Sequence, residues 1–325
     1  MLQAGLSLIA VLAALLPGFA AETRGPRTNS DEYRKSWGLE AIGARAAYDA
    51  GLTGKGVTVA ILDCGVATAQ TEVLRNVSRH STDVVPGRKA PVTDPHGAYT
   101  AAPLAAALNG RGMVGVAYNA TLLAVRADVE GGLNGKCAFR PSDLARGLDY
   151  AAEQKARVVV LPLQHGKPLG AAFEASLQRL VDGGAVVVIA AGNRSGPDPS
   201  WPAMYAIDPR YSGSILVAGA TGYYGSIASW SNRAGQVKAW YVAAPGEWVL
   251  TDCAAKCQLV SGTSFSTSYV AGGLALMMEA WPQMAGRDIA ARLLASARDA
   301  GDAGVDDVYG RGMLDLGGAF GQAAE

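Results

Sequence analysis

Residues 57–63 read VTVAILD, an almost wholly apolar run that ends on an acid. A strand with one face in water alternates apolar and polar residues, and this one does not. A run of this length without alternation suits a strand covered on both faces, as in a parallel sheet. Five more such runs follow: ATLLAVRA (120–127), ARVVVLPL (156–163), AVVVIAA (185–191), SILVAGA (214–220) and WYVAAPG (240–246). Helical patterns lie between and after them. PSDLARGLDYAAEQKA (141–156) opens with Pro141 and Ser142 near its N-cap and Asp143 in its first turn, and LGAAFEASLQRLVDGG (169–184) stops at Gly183 and Gly184. SYVAGGLALMMEA (268–280) and GRDIAARLLASARDAG (286–301) supply two more. This alternation predicts a doubly wound α/β fold, a mainly parallel sheet flanked by helices. Ligands of such sheets gather beyond the carboxyl ends of the strands, which directs attention to Asp63 and Asn193, each at or just past the end of an apolar run.

The 325 residues are half hydrophobic and 17% charged, with a formal net charge of zero. That composition allows a large core and gives no electrostatic reason to seek nucleic acid. No Pro/Ser-rich linker or charge block divides the chain, so 37–325 reads as one domain. Ahead of it, 1–21 reads as a secretory signal peptide with cleavage after Ala20 or Ala21, and 22–36 as a short extension. The apolar core of the leader, 6–16, has the length of a signal-peptide h-region and is too short for the ~20 residues of a bilayer span. Its n-region carries no Lys or Arg, so an uncleaved interfacial segment is the competing reading. The expectation is an exported protein, periplasmic or extracellular, without a stable membrane span; the sequence is silent on oligomeric state.

Cys64, Cys137, Cys253 and Cys257 form an even set, with three pairings open in an oxidising compartment. Cys253 and Cys257 flank the short stretch AAK and are the expected pair, leaving Cys64 with Cys137 as the remainder. A metal site competes with this reading, but the chain has three histidines and none lies near CAAKC.

Taken singly, the polar residues at the strand ends have two readings each. Asp63 beside Cys64 and Gly65 suits a turn, and equally a carboxylate that orients an imidazole. His96, in DPHGAYTAAPLAAAL just before an Ala/Leu-rich stretch, suits a cap, and is also the side chain best able to move protons near neutrality. Asn193 ends VVVIAAGN as a turn former or as an amide donor for a developing oxyanion. Ser264, in GTS just ahead of an apolar helix, is either its cap or a nucleophile beside the positive helix end.

The joint pattern decides between them. VAILDCGV, DPHGAYTAA, VVVIAAGN and SGTSFSTSYVAG resemble, in this order, the aspartate, histidine, oxyanion-asparagine and serine motifs of the subtilisin-like serine peptidases, the subtilases. The four residues are separated by 33, 97 and 71 positions, spacings of the family's kind. WGLEAIGARAAYDAGLTGKG, GMVGVAYNATLLAVRA, SWPAMYA, LVAGATG, ASWSNRAG and AAPG extend the likeness over nearly all of the mature chain. GVDDVYGRGMLDLGGAF resembles the terminal segment of subtilases carried by Gram-negative autotransporters, although no β-barrel follows it. The resemblance implies a serine endopeptidase acting on polypeptides. His96 would relay the proton of Ser264, Asp63 would orient His96, and Asn193 with the Ser264 backbone N–H would hold the oxyanion. It also implies that Leu163, Gln164, His165 and Gly166 stand where the family's specificity cleft has a wall.

Three departures bear on activity. Tyr99 replaces the second histidine of the family's H-G-T-H, Ser268 stands where the serine helix usually has Pro, and LPLQHG (161–166) alters the cleft wall. Cys64 stands where Ser or Thr is commoner. Some fifteen residues separate the leader from SWGLEAIGA, too few for the family's propeptide, so folding is expected to need no such aid. A subtilase-fold binding or scaffold protein with impaired catalysis is the alternative. An α/β-hydrolase fails, because Ser266 occupies the last glycine position of its G-x-S-x-G elbow. Asp302, Asp306 and Asp307 raise structural calcium, but their spacing lacks a ligand pattern and reads as a solvated loop; no cofactor is expected.

Overall fold

In the computed structural model, which describes residues 25–66, 72–89, 91–129, 132, 137–251, 253 and 256–321, all six apolar runs are strands of one sheet. They are β1 (Thr58–Asp63), β3 (Thr121–Arg126), β4 (Val158–Leu161), β5 (Val186–Ala190), β6 (Ile215–Thr221) and β7 (Tyr241–Pro245). A two-residue edge strand, β2 (Thr82–Asp83), completes the order β2-β3-β1-β4-β5-β6-β7, every pairing parallel. The leader lies outside the described residues. Among them, no helix is long and apolar enough to cross a membrane.

The helices are α1 (Asp31–Lys35), α2 (Gly38–Ala41), α3 (Arg45–Asp49), α4 (His96–Ala105), α5 (Pro141–Glu153), α6 (Ala171–Asp182), α7 (Thr263–Ala280), α8 (Gly286–Ala295) and α9 (Leu316–Gly321). Alternate strand residues feed two cores. Val59, Ile61, Val158, Val160, Val186 and Val188 face the layer holding α4, α7 and α8, while Ala60, Leu62, Val159, Leu161, Val187 and Ile189 face α5 and α6. Covering on both faces is why no strand alternates in polarity. The central helix α7 is buried from Thr263 to Met278, so it too lacks an amphipathic stripe.

Residues 31–36 of the extension pack into the same body. Tyr33 is buried in the core, the Glu32 carboxylate accepts from the backbone N–H groups of Asn109 and Gly110, and Ser36 Oγ accepts from Val114 N. A small antiparallel hairpin, β8 (Val249–Thr251) with β9 (Gln258–Val260), stands apart from the main sheet.

From β1 the chain passes to β2 and β3 on one side, then crosses to β4 on the other. The crevice outside the carboxyl ends of β1 and β4 is therefore the point where strand order reverses, the usual binding position of an open α/β sheet.

Candidate active site

Asp63 is the last residue of β1, and its side chain is 2% exposed. A carboxylate buried to that degree needs donors around it. It has them: Cys64 N donates to Oδ1 at 2.7 Å, Thr100 Oγ1 to Oδ2 at 2.9 Å, and His96 Nδ1 lies 2.8 and 2.9 Å from the two oxygens. His96 opens α4, with its backbone N–H accepted by Asp94 Oδ1 at 2.8 Å. Two glycines make the approach of β1 and α4 feasible. A Cβ on Gly97 would lie 2.1 Å from the Gly65 carbonyl oxygen, and Gly65 itself has φ +85°. The glycines after Asp63 and His96 are thus the space that lets the two side chains meet.

Burial of the imidazole disfavours its charged form, but the Asp63 charge, the Asp63 hydrogen bond and the Asp94 charge outweigh it and hold the His96 pKa above the ordinary value. With an Nδ1–H directed at Asp63, Nε2 is left as the basic nitrogen. The His96 side chain is 31% exposed, open enough to meet a ligand.

Ser264 sits inside the first turn of α7, not ahead of it as the sequence suggested. The reason is a cap supplied from elsewhere in the chain. Gly262, at the N-cap, has no side chain to offer, and Asn193, three residues beyond β5, accepts from Thr263 N at 3.0 Å and from Thr263 Oγ1 at 2.8 Å. These bonds satisfy helix-start donors that the local sequence leaves open. They also fix the amide of Asn193: Oδ1 is committed to Thr263, and among the described residues Nδ2 makes no hydrogen bond. The Ser264 N–H is one of the opening amides of α7 for which the helix provides no acceptor.

The Ser264 hydroxyl donates to the carbonyl of Pro162, just past β4, at 2.8 Å. Among the described residues it makes no hydrogen bond with His96. The imidazole nonetheless lies at the same helix start, its ring centroid 6.0 Å from that of Phe265. The structure thus brings Asp63 and His96 into contact and sets Ser264 and Asn193 together around the start of α7.

Of the expected cleft wall, Leu163 is buried, while Gln164 and Gly166 are exposed. Gln164 Oε1 accepts from Asn193 N at 3.0 Å. His165 pairs its backbone with Trp201, and its Nδ1 lies 2.9 Å from the Lys167 carbonyl oxygen. The wall is therefore tied to the segment carrying Asn193.

The helix α7 runs unbroken through Ser268, whose buried Oγ donates to the Thr100 carbonyl of α4 at 2.5 Å. Tyr99 contributes its backbone: Pro103, inside α4, has no N–H for the Tyr99 carbonyl, which accepts from Thr251 Oγ1 at 2.7 Å. Thr100 and Pro162 were not singled out in the sequence. For Thr100 a signal existed, because it lies one turn after His96 on the same helix face.

Cys64 is bonded to Cys137 and Cys253 to Cys257, with Cα separations of 6.1 and 3.9 Å. The acidic stretch is not wholly solvated: Asp306 is buried, its Oδ1 accepting from Val308 N and Tyr309 N, and Asp307 pairs with Lys238 at 2.8 Å. Among the described residues, the side chains that could jointly hold a metal ion are Asp63, Cys64, His96 and Cys137.

Residues 54–312 match the profile of the Subtilase family. Subtilisin BL of Lederbergia lenta is 31% identical over 280 residues, covering 86% of this chain and 96% of that protein. Subtilisin Savinase of the same organism is 30% identical with the same coverage. An alkaline protease of Alkalihalobacillus alcalophilus is 31% identical over 280 residues, 86% of this chain and 68% of its own length. With this fold, the chain belongs to the subtilase family and is a serine-type endopeptidase.

Proposed function

We propose that the endopeptidase hydrolyses polypeptides by acyl transfer through Asp63, His96 and Ser264, with Asn193 as oxyanion donor, and that it acts after export. The observation that carries the reading is the buried Asp63 carboxylate on His96 Nδ1, at the same strand-end crevice as the start of α7. As substrate binds, the Ser264 hydroxyl leaves the Pro162 carbonyl for His96 Nε2, gives up its proton and attacks the scissile carbonyl. The negative oxygen that forms is held by Asn193 Nδ2 and the Ser264 N–H, both pre-aimed because the helix start is already capped. His96 then returns the proton to the leaving amine. The exposed strip at Gln164 and Gly166 offers backbone for an extended peptide to pair with. Export is supported by the apolar run at 6–16 and by the two cysteine pairs.

Fluorophosphonate labelling and casein cleavage by the purified chain test this reading. Ser264→Ala should abolish labelling and lower turnover by about 10⁶, the scale for losing the nucleophile of a subtilisin triad. Equal labelling of the wild type and His96→Ala would show that the triad does not operate. Peptide capture without cleavage, equally tight in wild type and Ser264→Ala, would show a binding protein on this fold instead.

A further inference from the structure

The Cys64–Cys137 disulfide lies beside the site. Cys64 directly follows Asp63 and is buried, and Cys137 precedes α5 in a half-buried position. The ligating atoms of Asp63, Cys64, His96 and Cys137 all lie within 4.8 Å of one another. While the sulfurs are bonded together, neither is a thiolate and the cluster is no metal site. We propose that reduction of this one bond turns the cluster into a site for a single thiophilic divalent cation, zinc or cadmium, and that the bound cation silences the peptidase.

Reduction by a phosphine consumes one water: two electrons pass from phosphorus to the S–S bond, the phosphine leaves as its oxide, and two thiols result. The sulfurs then separate toward contact distance. A tetrahedral zinc site with Zn–S of about 2.3 Å and Zn–N of about 2.0 Å spaces its donors by roughly 3.3–3.8 Å, within reach of this cluster by small side-chain movements. The cation displaces both thiol protons to solvent; the two thiolates balance its charge, and the Asp63 carboxylate leaves the site with one net negative charge. Two sulfurs and an imidazole favour zinc or cadmium over calcium or magnesium. The partly exposed imidazole gives the ion an entry path. Coordination at the edge of His96 facing Asp63 replaces the Nδ1–H contact with Asp63, and the displaced proton passes through solvent to Nε2, so the imidazole loses both its orienter and its basic nitrogen while the disulfide-bonded protein keeps them. Cys253 and Cys257 lie on the β8–β9 hairpin and offer two sulfurs with no histidine beside them among the described residues.

The silencing rests on the proposed triad; the binding does not. The test uses the full chain carrying Cys253→Ser and Cys257→Ser, reduced with a phosphine and titrated with cadmium. Ultraviolet thiolate-to-cadmium absorption and peptide cleavage are followed together. The proposal expects an absorption band that saturates at one equivalent, a loss of at least tenfold in activity along the same curve, and recovery of activity with a chelator. The oxidised protein should give no band and no loss, and Cys64→Ser should give no band. No band in the reduced protein, the same band in Cys64→Ser, or loss of the far-ultraviolet circular dichroism of the fold on reduction would each overturn it. A band with undiminished activity would refute the silencing. Oxidised protein without any activity would instead refute the triad reading and leave the band to decide the metal site.

Discussion

The two halves of the site are held in different ways. On the Asp63 side every contact is fixed: the carboxylate receives Cys64 N, Thr100 Oγ1 and His96 Nδ1, and a disulfide lies immediately next to it in the chain. On the Ser264 side the backbone is fixed by Asn193, while the hydroxyl rests on the Pro162 carbonyl. The difference follows from the role proposed for each half. An orienting carboxylate works by not moving, and its burial makes each donor costly to lose. A nucleophile must change partner within each turnover, so its helix is anchored and its hydroxyl is left to rotate.

The largest break in this contrast is Asp63→Asn. An amide in this pocket turns an N–H₂ toward at least one group that now donates to the carboxylate, and it no longer favours the Nδ1–H tautomer of His96. Turnover should fall by about 10⁴, the scale for this change in a serine-protease triad, with KM little altered. A loss below tenfold would mean that Asp63 only fills space.

Asn193 has two roles, because it caps α7 through Oδ1 and is proposed to hold the oxyanion through Nδ2. Asn193→Asp separates these roles. The cap survives, since a carboxylate oxygen can accept from Thr263, while the donor disappears. Turnover should drop by about 10² to 10³, or about 2.7–4 kcal/mol, as for removal of one oxyanion donor in a subtilisin, with the melting temperature nearly unchanged. Asn193→Ala should lose both, with an added stability cost of about 0.5–2 kcal/mol for the cap. Equal melting temperatures for the two variants would remove the capping role.

The pairing of Asp63 with His96 also sets a pH dependence. The base role proposed for His96 needs the neutral imidazole, and its pKa is held above the usual ~6.5, so the acid limb of kcat/KM should have its midpoint above that value. The sign for stability is opposite to that for activity. A raised folded-state value means that the charged imidazole stabilises the fold fully below its unfolded pKa, and that this contribution fades as pH rises through the raised value. Asp63→Asn should move the activity limb downward. An unmoved limb would assign it to another group.

Much of this was legible because the relevant constraints are local. The six buried strands announce themselves by apolar runs, and Asp63, His96 and Asn193 each lie within two residues of a glycine forced by close backbone approach or an unusual φ: Gly65, Gly97 and Gly192, the last at φ +108°. What was not legible depends on contacts between distant segments. The cap on Thr263 comes from a residue 70 positions earlier, so the start of α7 carries no capping signature of its own. The edge strand β2 has two polar-leaning residues and no period to detect. The hairpin of β8 and β9 exposes Gln258 and Leu259 and lacks the short Asn-Gly type of turn that marks hairpins in sequence.

The smallest effect concerns Ser268, which ties the two halves together through the Thr100 carbonyl. Ser268→Ala removes one buried neutral hydrogen bond and should cost about 0.5–1.5 kcal/mol, with kcat and KM little changed. Thermal unfolding checks this, at roughly 1.5–2 °C per kcal/mol for a chain of this size. Ser268→Pro restores the residue usual in the family and is the sharper comparison. Proline in a helix interior commonly costs about 3 kcal/mol, because it removes an N–H and crowds the carbonyl four residues back. Here that carbonyl belongs to Ser264, and it already accepts from Thr267 Oγ1 at 2.5 Å, so it is not left without a donor. The loss should therefore stay well below the usual figure and resemble that of Ser268→Ala. A full proline penalty would mean that α7 has been rebuilt around Ser268, and that the tether to Thr100 has replaced proline as the means of holding the start of α7 beside α4.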